Sequence, residues 1–151
     1  MTVRIAVVGV GYLGRHHARI LSSLPGAKLV AVVDTNAARA HEVAAASGTR
    51  PLTDYRDLLG TVDAVTLAVP TELHREIALP FLTAGVHLLV EKPMARSLAE
   101  ADDMIQAASR ADAILAVGQT ERFNPAVGAA RPILTDPRDR KSTRLNSSHR
   151  L

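Results

Sequence analysis

Three glycines, Gly9, Gly11 and Gly14, follow the apolar run Val3-Arg4-Ile5-Ala6-Val7-Val8, and the carboxylate Asp34 closes a second run, Leu29-Val30-Ala31-Val32-Val33. In a strand-turn-helix this spacing suits pyrophosphate binding. The first glycine lets the chain turn sharply out of the strand, the second lets bare backbone approach a phosphate, and the third lets the next helix pack close to the sheet. Tyr12 and Leu13 stand inside the turn and are counted with it. The N-terminus of the helix then faces the phosphates. Asp34 lies 20 residues beyond Gly14, where a carboxylate can accept hydrogen bonds from both hydroxyls of an adenosine ribose. Glycines alone would be a weak signal; strand, turn, helix, strand and acid in order form a dinucleotide pattern.

A second group sits at Leu88-Leu89-Val90-Glu91-Lys92-Pro93, where a charged pair directly follows an apolar run. Ligands of open parallel sheets bind at the carboxyl ends of strands, so Glu91 and Lys92 are candidates for chemistry, although a solvated strand end is the plainer reading of the tripeptide alone. Pro70 and Thr71 follow a third run, with His74 one helical turn on. Pro70 would shape a crevice that His74 either lines or leaves as an exposed residue of its helix. His17 falls on the apolar face of the first helix and is expected to pack rather than react. Gln119 and Arg122 follow the last apolar run; a solvated arginine is the alternative to a ligand contact.

Apolar runs and helical patterns alternate, which predicts repeated strand-helix units and a doubly wound parallel sheet of the Rossmann type, an α/β fold. Strands are expected near 3–8, 28–34, 63–68, 86–90 and 113–117. The first helix should span 12–24, with Leu13, His17, Ile20, Leu21 and Leu24 on one face and Pro25-Gly26 ending it. Ala-rich residues 37–47, closed by Gly48, form the next. A short helix at 54–59 and a longer one at 72–84 follow, and Ser97 with Glu100 predicts a capping box for a helix over 98–110.

Apolar residues are 47% of the 151 and aromatics 3%, so the core is expected to be built from Ala, Val, Leu and Ile. The absence of cysteine excludes a disulfide framework and a thiolate metal site. No apolar run approaches the roughly 18 residues of a membrane span, and Met1 leads straight into the first strand, so no membrane is expected and the cytoplasm is the expected location. The net charge of +3 belongs to the tail: residues 1–137 hold thirteen basic and fourteen acidic side chains, a net of −1. A nucleic-acid partner is therefore not expected. Residues 140–151 have no apolar periodicity and resemble a translated sequencing-library adapter, a native disordered tail being the other reading.

Together, Gly9-Val10-Gly11-Tyr12-Leu13-Gly14, Glu91-Lys92-Pro93 and Gly118-Gln119-Thr120-Glu121-Arg122-Phe123-Asn124-Pro125 resemble the glucose-fructose oxidoreductase, inositol dehydrogenase and rhizopine-catabolism (Gfo/Idh/MocA) family over residues 2–138. The resemblance implies a Rossmann cofactor domain at 1–125, the start of a crossover at 126–139, and a missing second α+β domain that supplies further catalytic groups and the oligomer interface. It implies oxidation or reduction of a carbinol on a sugar, cyclitol or sugar nucleotide with NAD or NADP; Asp34 at the ribose position, with no arginine immediately after it, predicts a preference for NAD. By the same match Lys92 is the catalytic residue that meets the reacting hydroxyl, a role suited to an amine whose pKa can be lowered by burial and nearby positive charge. Glu91 should hold the nicotinamide ribose, with Pro70, Thr71 and His74 beside the nicotinamide and Arg122 within its reach. Gln119 stands where many relatives have His. The Lys92-Pro93 peptide is expected to be cis. Glu121 to Val127 is similar to members acting on nucleotide-linked amino sugars, such as UDP-N-acetylglucosamine 3-dehydrogenases. The leading reading is a truncated NAD-dependent sugar or sugar-nucleotide dehydrogenase, homo-oligomeric when full-length; a dinucleotide sensor without turnover, which would not need Lys92, is the alternative, and a homoserine or dihydrodipicolinate reductase type of domain fits the glycine turn but not Glu91-Lys92-Pro93 or Arg122-Phe123.

Overall fold

Neighbouring residues of the first two strands face opposite apolar clusters, and this alternation sets the layers. In a computed structural model that describes residues 2–135, β1 (Val3–Val8) sends Ala6 and Val8 to one cluster and Val7 to the other. In β2 (Ala27–Val33), Ala31 and Val33 join the first cluster and Val32 the second. A sheet buried on both faces requires helices on both. The second cluster is completed by Ala18 of α1 (Tyr12–Ser23) and by Val43 and Ala44 of α2 (Ala37–Ser47). Phe81 and Leu82 of α3 (His74–Thr83) and Met104 of α4 (Leu98–Arg110) complete the first.

The sheet has six strands in the order β3-β2-β1-β4-β5-β6, every pair parallel. The other four are β3 (Arg50–Leu52), β4 (Ala64–Leu67), β5 (His87–Val90) and β6 (Leu115–Val117). The expected Rossmann architecture is present, with one strand more than the apolar runs suggested. β3 has three residues, one of them Pro51, and a proline without an N–H is tolerated at the sheet edge where β3 lies. The chain departs from β1 to β2 on one side and later returns to β4 on the other, so the carboxyl ends of β1 and β4 border a crevice at the switch point.

Two local expectations need correction. In α1 the buried residues are Gly14 and Ala18, while Leu13, Ile20 and Leu24 are about half exposed. The helix comes closest to the sheet at these two small residues, while His17 and Leu21 of the expected face are partly buried beside them, Leu21 against the second cluster. At α4, Ser97 accepts from the Glu100 N–H at 3.2 Å, but the Glu100 carboxylate accepts from the Arg96 N–H and pairs with the Arg96 guanidinium instead of closing the box on Ser97.

The chain divides between Gly118 and Gln119, ahead of the boundary at 125. The second unit contains a 3-10 turn (Thr120–Phe123), which carries Arg122, and α5 (Pro125–Thr135). The tail at 140–151 and the end of the 126–139 segment lie outside the described residues. Among the described residues no helix is long and apolar enough to cross a membrane, and no cluster of three or more His, Cys, Asp or Glu is placed to hold a metal.

Asp63, just before β4, accepts from the Arg4 backbone N–H at 2.8 Å and pairs with its guanidinium at 2.6 Å. The Arg4 side-chain and backbone hydrogen bonds hold the Asp63 carboxyl at about 2, below its ordinary 3.8. A depressed folded-state value means the contribution is full above about 3.8 and is lost as pH falls through about 2. Asp63→Asn is therefore expected to lower urea stability at pH 6 and to make little difference near pH 2. An equal loss at both would refute the linkage.

Candidate functional site

The turn between β1 and α1 is built by what its glycines lack. Gly9 has φ +83°, and a Cβ there would sit 2.7 Å from Val69 Cγ1 and 2.8 Å from the Ala68 carbonyl. A Cβ on Gly14 would run into the Gly9 carbonyl oxygen, whereas one on Gly11 would meet nothing within 4 Å. Gly9 and Gly14 are thus required by the fold itself, and Gly11 keeps an open approach to the backbone. Gly11 caps α1 without a side-chain hydrogen bond, and the first turn of α1 holds no acid. Its N–H groups remain available to an anion.

A cleft of about 400 Å³ opens beside this turn, within the usual size of a small-ligand site. Gly9, Gly11, Asp34 and Pro70 line it, together with Arg39 and Tyr55, which no sequence motif singled out. Tyr12 and Leu13 are exposed at the start of α1, the Tyr12 ring edge-on to His16. Thr71 opens a 3-10 turn, Thr71–Leu73.

Asp34 stands one residue past β2 and is 6% exposed. Its carboxylate accepts from the Val10 N–H at 3.1 Å and the Asn36 N–H at 2.9 Å, and Arg39 grips it from the first turn of α2 with Nε at 2.8 Å and a terminal nitrogen at 2.7 Å. Burial opposes the charged form, but the Arg39 hydrogen bonds and the two amides outweigh it and hold the carboxyl below its ordinary value. Arg39 could have been found from spacing: Asn36 caps α2 and accepts from the Arg39 N–H, which sets Arg39 one turn in and facing back toward Asp34.

Glu91 and Lys92 leave the sheet at the end of β5. Glu91 is 8% exposed, and its N–H donates to the Leu67 carbonyl of β4 at 3.0 Å. Its Oε1 lies 3.1 Å from His17 Nε2, and its Oε2 accepts from the Lys92 N–H at 3.2 Å. Lys92 is exposed, and the Lys92-Pro93 peptide is cis as the resemblance implied. His17 therefore does more than pack: its Nδ1 also meets Thr66 Oγ1 at 2.6 Å. His74 departs from both of its readings. It is 1% exposed, with Nε2 3.0 Å from the Val69 carbonyl and Nδ1 3.1 Å from that of Pro93 and 3.2 Å from that of Met94. It braces the loop after β4 against the loop that carries Lys92. A buried imidazole must find polar partners, and these carbonyls are the ones within reach. Gln119 and Arg122 belong to the second unit and are exposed there.

A model of an oxidoreductase family with an NAD-binding Rossmann fold, Gfo/Idh/MocA, matches residues 3–119. The UDP-N-acetylglucosamine 3-dehydrogenase of Acidithiobacillus ferrooxidans is 41% identical over 125 residues, 83% of this chain and 39% of the relative. Its crystal structure superposes with a TM-score of 0.82 over 88% of this chain and 43% of that one, at 39% identity. An inositol 2-dehydrogenase of Rhizobium meliloti is 34% identical over 139 residues, 91% of this chain and 42% of the relative. GenD2 of gentamicin A biosynthesis, solved in complex with NAD, gives a TM-score of 0.85 at 32% identity, over 90% of this chain and 40% of its own. The chain thus spans about two fifths of the proteins it matches.

Proposed function

The chain belongs to the Gfo/Idh/MocA oxidoreductase family, and on that premise we propose that it is the NAD-binding portion of a dehydrogenase acting on a hydroxyl of a sugar, cyclitol or sugar nucleotide. The observation that carries the reading is the turn at Gly9, Gly11 and Gly14. Two of its positions have no room for a Cβ and the third is open, at the uncapped start of α1. These residues fit a dinucleotide: Gly11 and the first amides of α1 would receive the pyrophosphate, and Asp34 the adenosine ribose. Glu91 would hold the nicotinamide ribose. Bound NAD supplies the hydride acceptor.

Lys92 would then exchange the proton of the reacting hydroxyl, a transfer in which the amine must be neutral to accept and charged to donate. Its exposure means that burial of this lysine would come from outside the described residues. Pro70 and Thr71 would bound the crevice on the β4 side, and Gln119 and Arg122 are proposed as cofactor contacts on the family resemblance. In this reading the intact protein is a cytoplasmic homo-oligomer with a small-molecule substrate, and NADP is the weaker cofactor.

The NAD preference is set by Asp34 and tempered by Arg39. A carboxylate about 4 Å from an added ribose phosphate would cost on the order of 4 kcal/mol per charge at an effective dielectric near 20, an upper bound of several hundredfold. The Arg39 fork already on that carboxylate offsets part of it. Calorimetric titration should show NAD binding more tightly than NADP, with Asp34→Ala narrowing the gap by about tenfold or more as Arg39 is freed for phosphate. Equal or tighter NADP binding by the unaltered chain would sink the preference.

A further inference from the structure

We infer that His17 is a positioning residue that clamps the Glu91 carboxylate against Thr66 and so fixes where the Lys92 loop leaves the sheet. The inference rests on the assignment of Glu91 and Lys92 to the nicotinamide end of the site. Three elements meet at the imidazole: α1, which starts at the glycine turn; β4, through Thr66, 1% exposed; and the first residue past β5, Glu91. An ionised carboxylate only accepts, so Nε2 donates to Glu91 Oε1. In the neutral ring the other nitrogen is then an acceptor, which makes the Thr66 hydroxyl the donor to Nδ1. One tautomer satisfies the whole chain from Thr66 through His17 to Glu91.

The carboxylate has a partner on each oxygen. Oε1 takes the His17 proton and Oε2 takes the Lys92 N–H, while a Cβ on Gly118 would stand 3.1 Å from the carboxylate carbon. Gly118 is in turn anchored by its N–H on the Val90 carbonyl at 2.8 Å. Three apolar side chains could fill this space without the desolvation that a polar trio incurs. What the trio adds is direction: it sets the orientation of a carboxylate whose remaining lone pairs can accept from a ribose, and it ties that carboxylate to the helix that receives the phosphates.

The test compares NAD with ADP, which lacks both the nicotinamide ring and the ribose assigned to Glu91, titrated calorimetrically into the whole chain. His17→Leu is expected to weaken NAD about tenfold and leave ADP within twofold. His17→Gln, which can return a donor to Glu91, should restore most of the loss. Glu91→Gln should reproduce the loss, and adding His17→Leu to it should cost nothing more. Thr66→Val, which keeps the ring but frees its Nδ1 anchor, should give a smaller loss of the same kind, and thermal melting of each variant checks that it is folded. Equal weakening of both ligands in the folded variants, or no effect on either, overturns the positioning role while leaving the NAD site standing. If the unaltered chain binds neither ligand, the site assignment fails and this inference falls with it.

Discussion

Lys92→Ala is expected to lower kcat by about a hundred to ten thousandfold, the range that general acid-base assistance is worth, in an enzyme made by joining this chain to the part of the Acidithiobacillus ferrooxidans relative that it does not span. NAD affinity should change little, because Lys92 is exposed at the end of β5 and lines no part of the crevice beside the glycine turn. A fall in kcat without a fall in cofactor binding marks an interaction made in the transition state. Steady-state kinetics with UDP-N-acetylglucosamine, alongside NAD titrations, would read both. If the joined enzyme turned over near normally with Ala at position 92, the proton-transfer role would be lost and a dinucleotide sensor would become the better reading.

Gly14→Ala and Gly11→Ala are expected to fail in opposite ways. A methyl on Gly14 collides with the Gly9 carbonyl oxygen, a backbone atom that cannot yield without opening the turn. Overpacking of this kind costs about 1–3 kcal/mol, so the variant should melt several degrees lower and lose NAD together with its stability. A methyl on Gly11 meets nothing in the protein. That variant should keep its melting temperature within a degree or two yet bind NAD at least tenfold more weakly, because the new carbon stands where a phosphate must come close. Unchanged affinity in a folded Gly11→Ala chain would mean that no phosphate approaches there.

What the sequence made legible was local. The glycine turn, the carboxylate at the end of β2 and the alternation of strand and helix are encoded in short spacings, and each is found where those spacings put it. β3 escaped because three residues with a proline carry no period. The face of α1 was legible only in part, because apolar periodicity marks large side chains such as Leu21, whereas the fully buried positions are Gly14 and Ala18, whose small size is what allows the close approach. His74 and His17 illustrate a different gap. Each is defined by partners far along the chain, Pro93 and Met94 for one and Thr66 and Glu91 for the other, and only the folded sheet brings them together. Arg39 lies between these cases: its reach back to Asp34 is set by the Asn36 cap, a local signal that a search for an arginine directly after the acid passes over.

In the proposed function, NAD lies across the carboxyl ends of β1, β2 and β4. Calorimetric titration of the unaltered chain with NAD tests it most directly. The expected result is saturable one-to-one binding that ADP-ribose displaces and that Gly11→Ala weakens at least tenfold in a folded chain. Absence of binding, or binding that Gly11→Ala leaves intact, would contradict it.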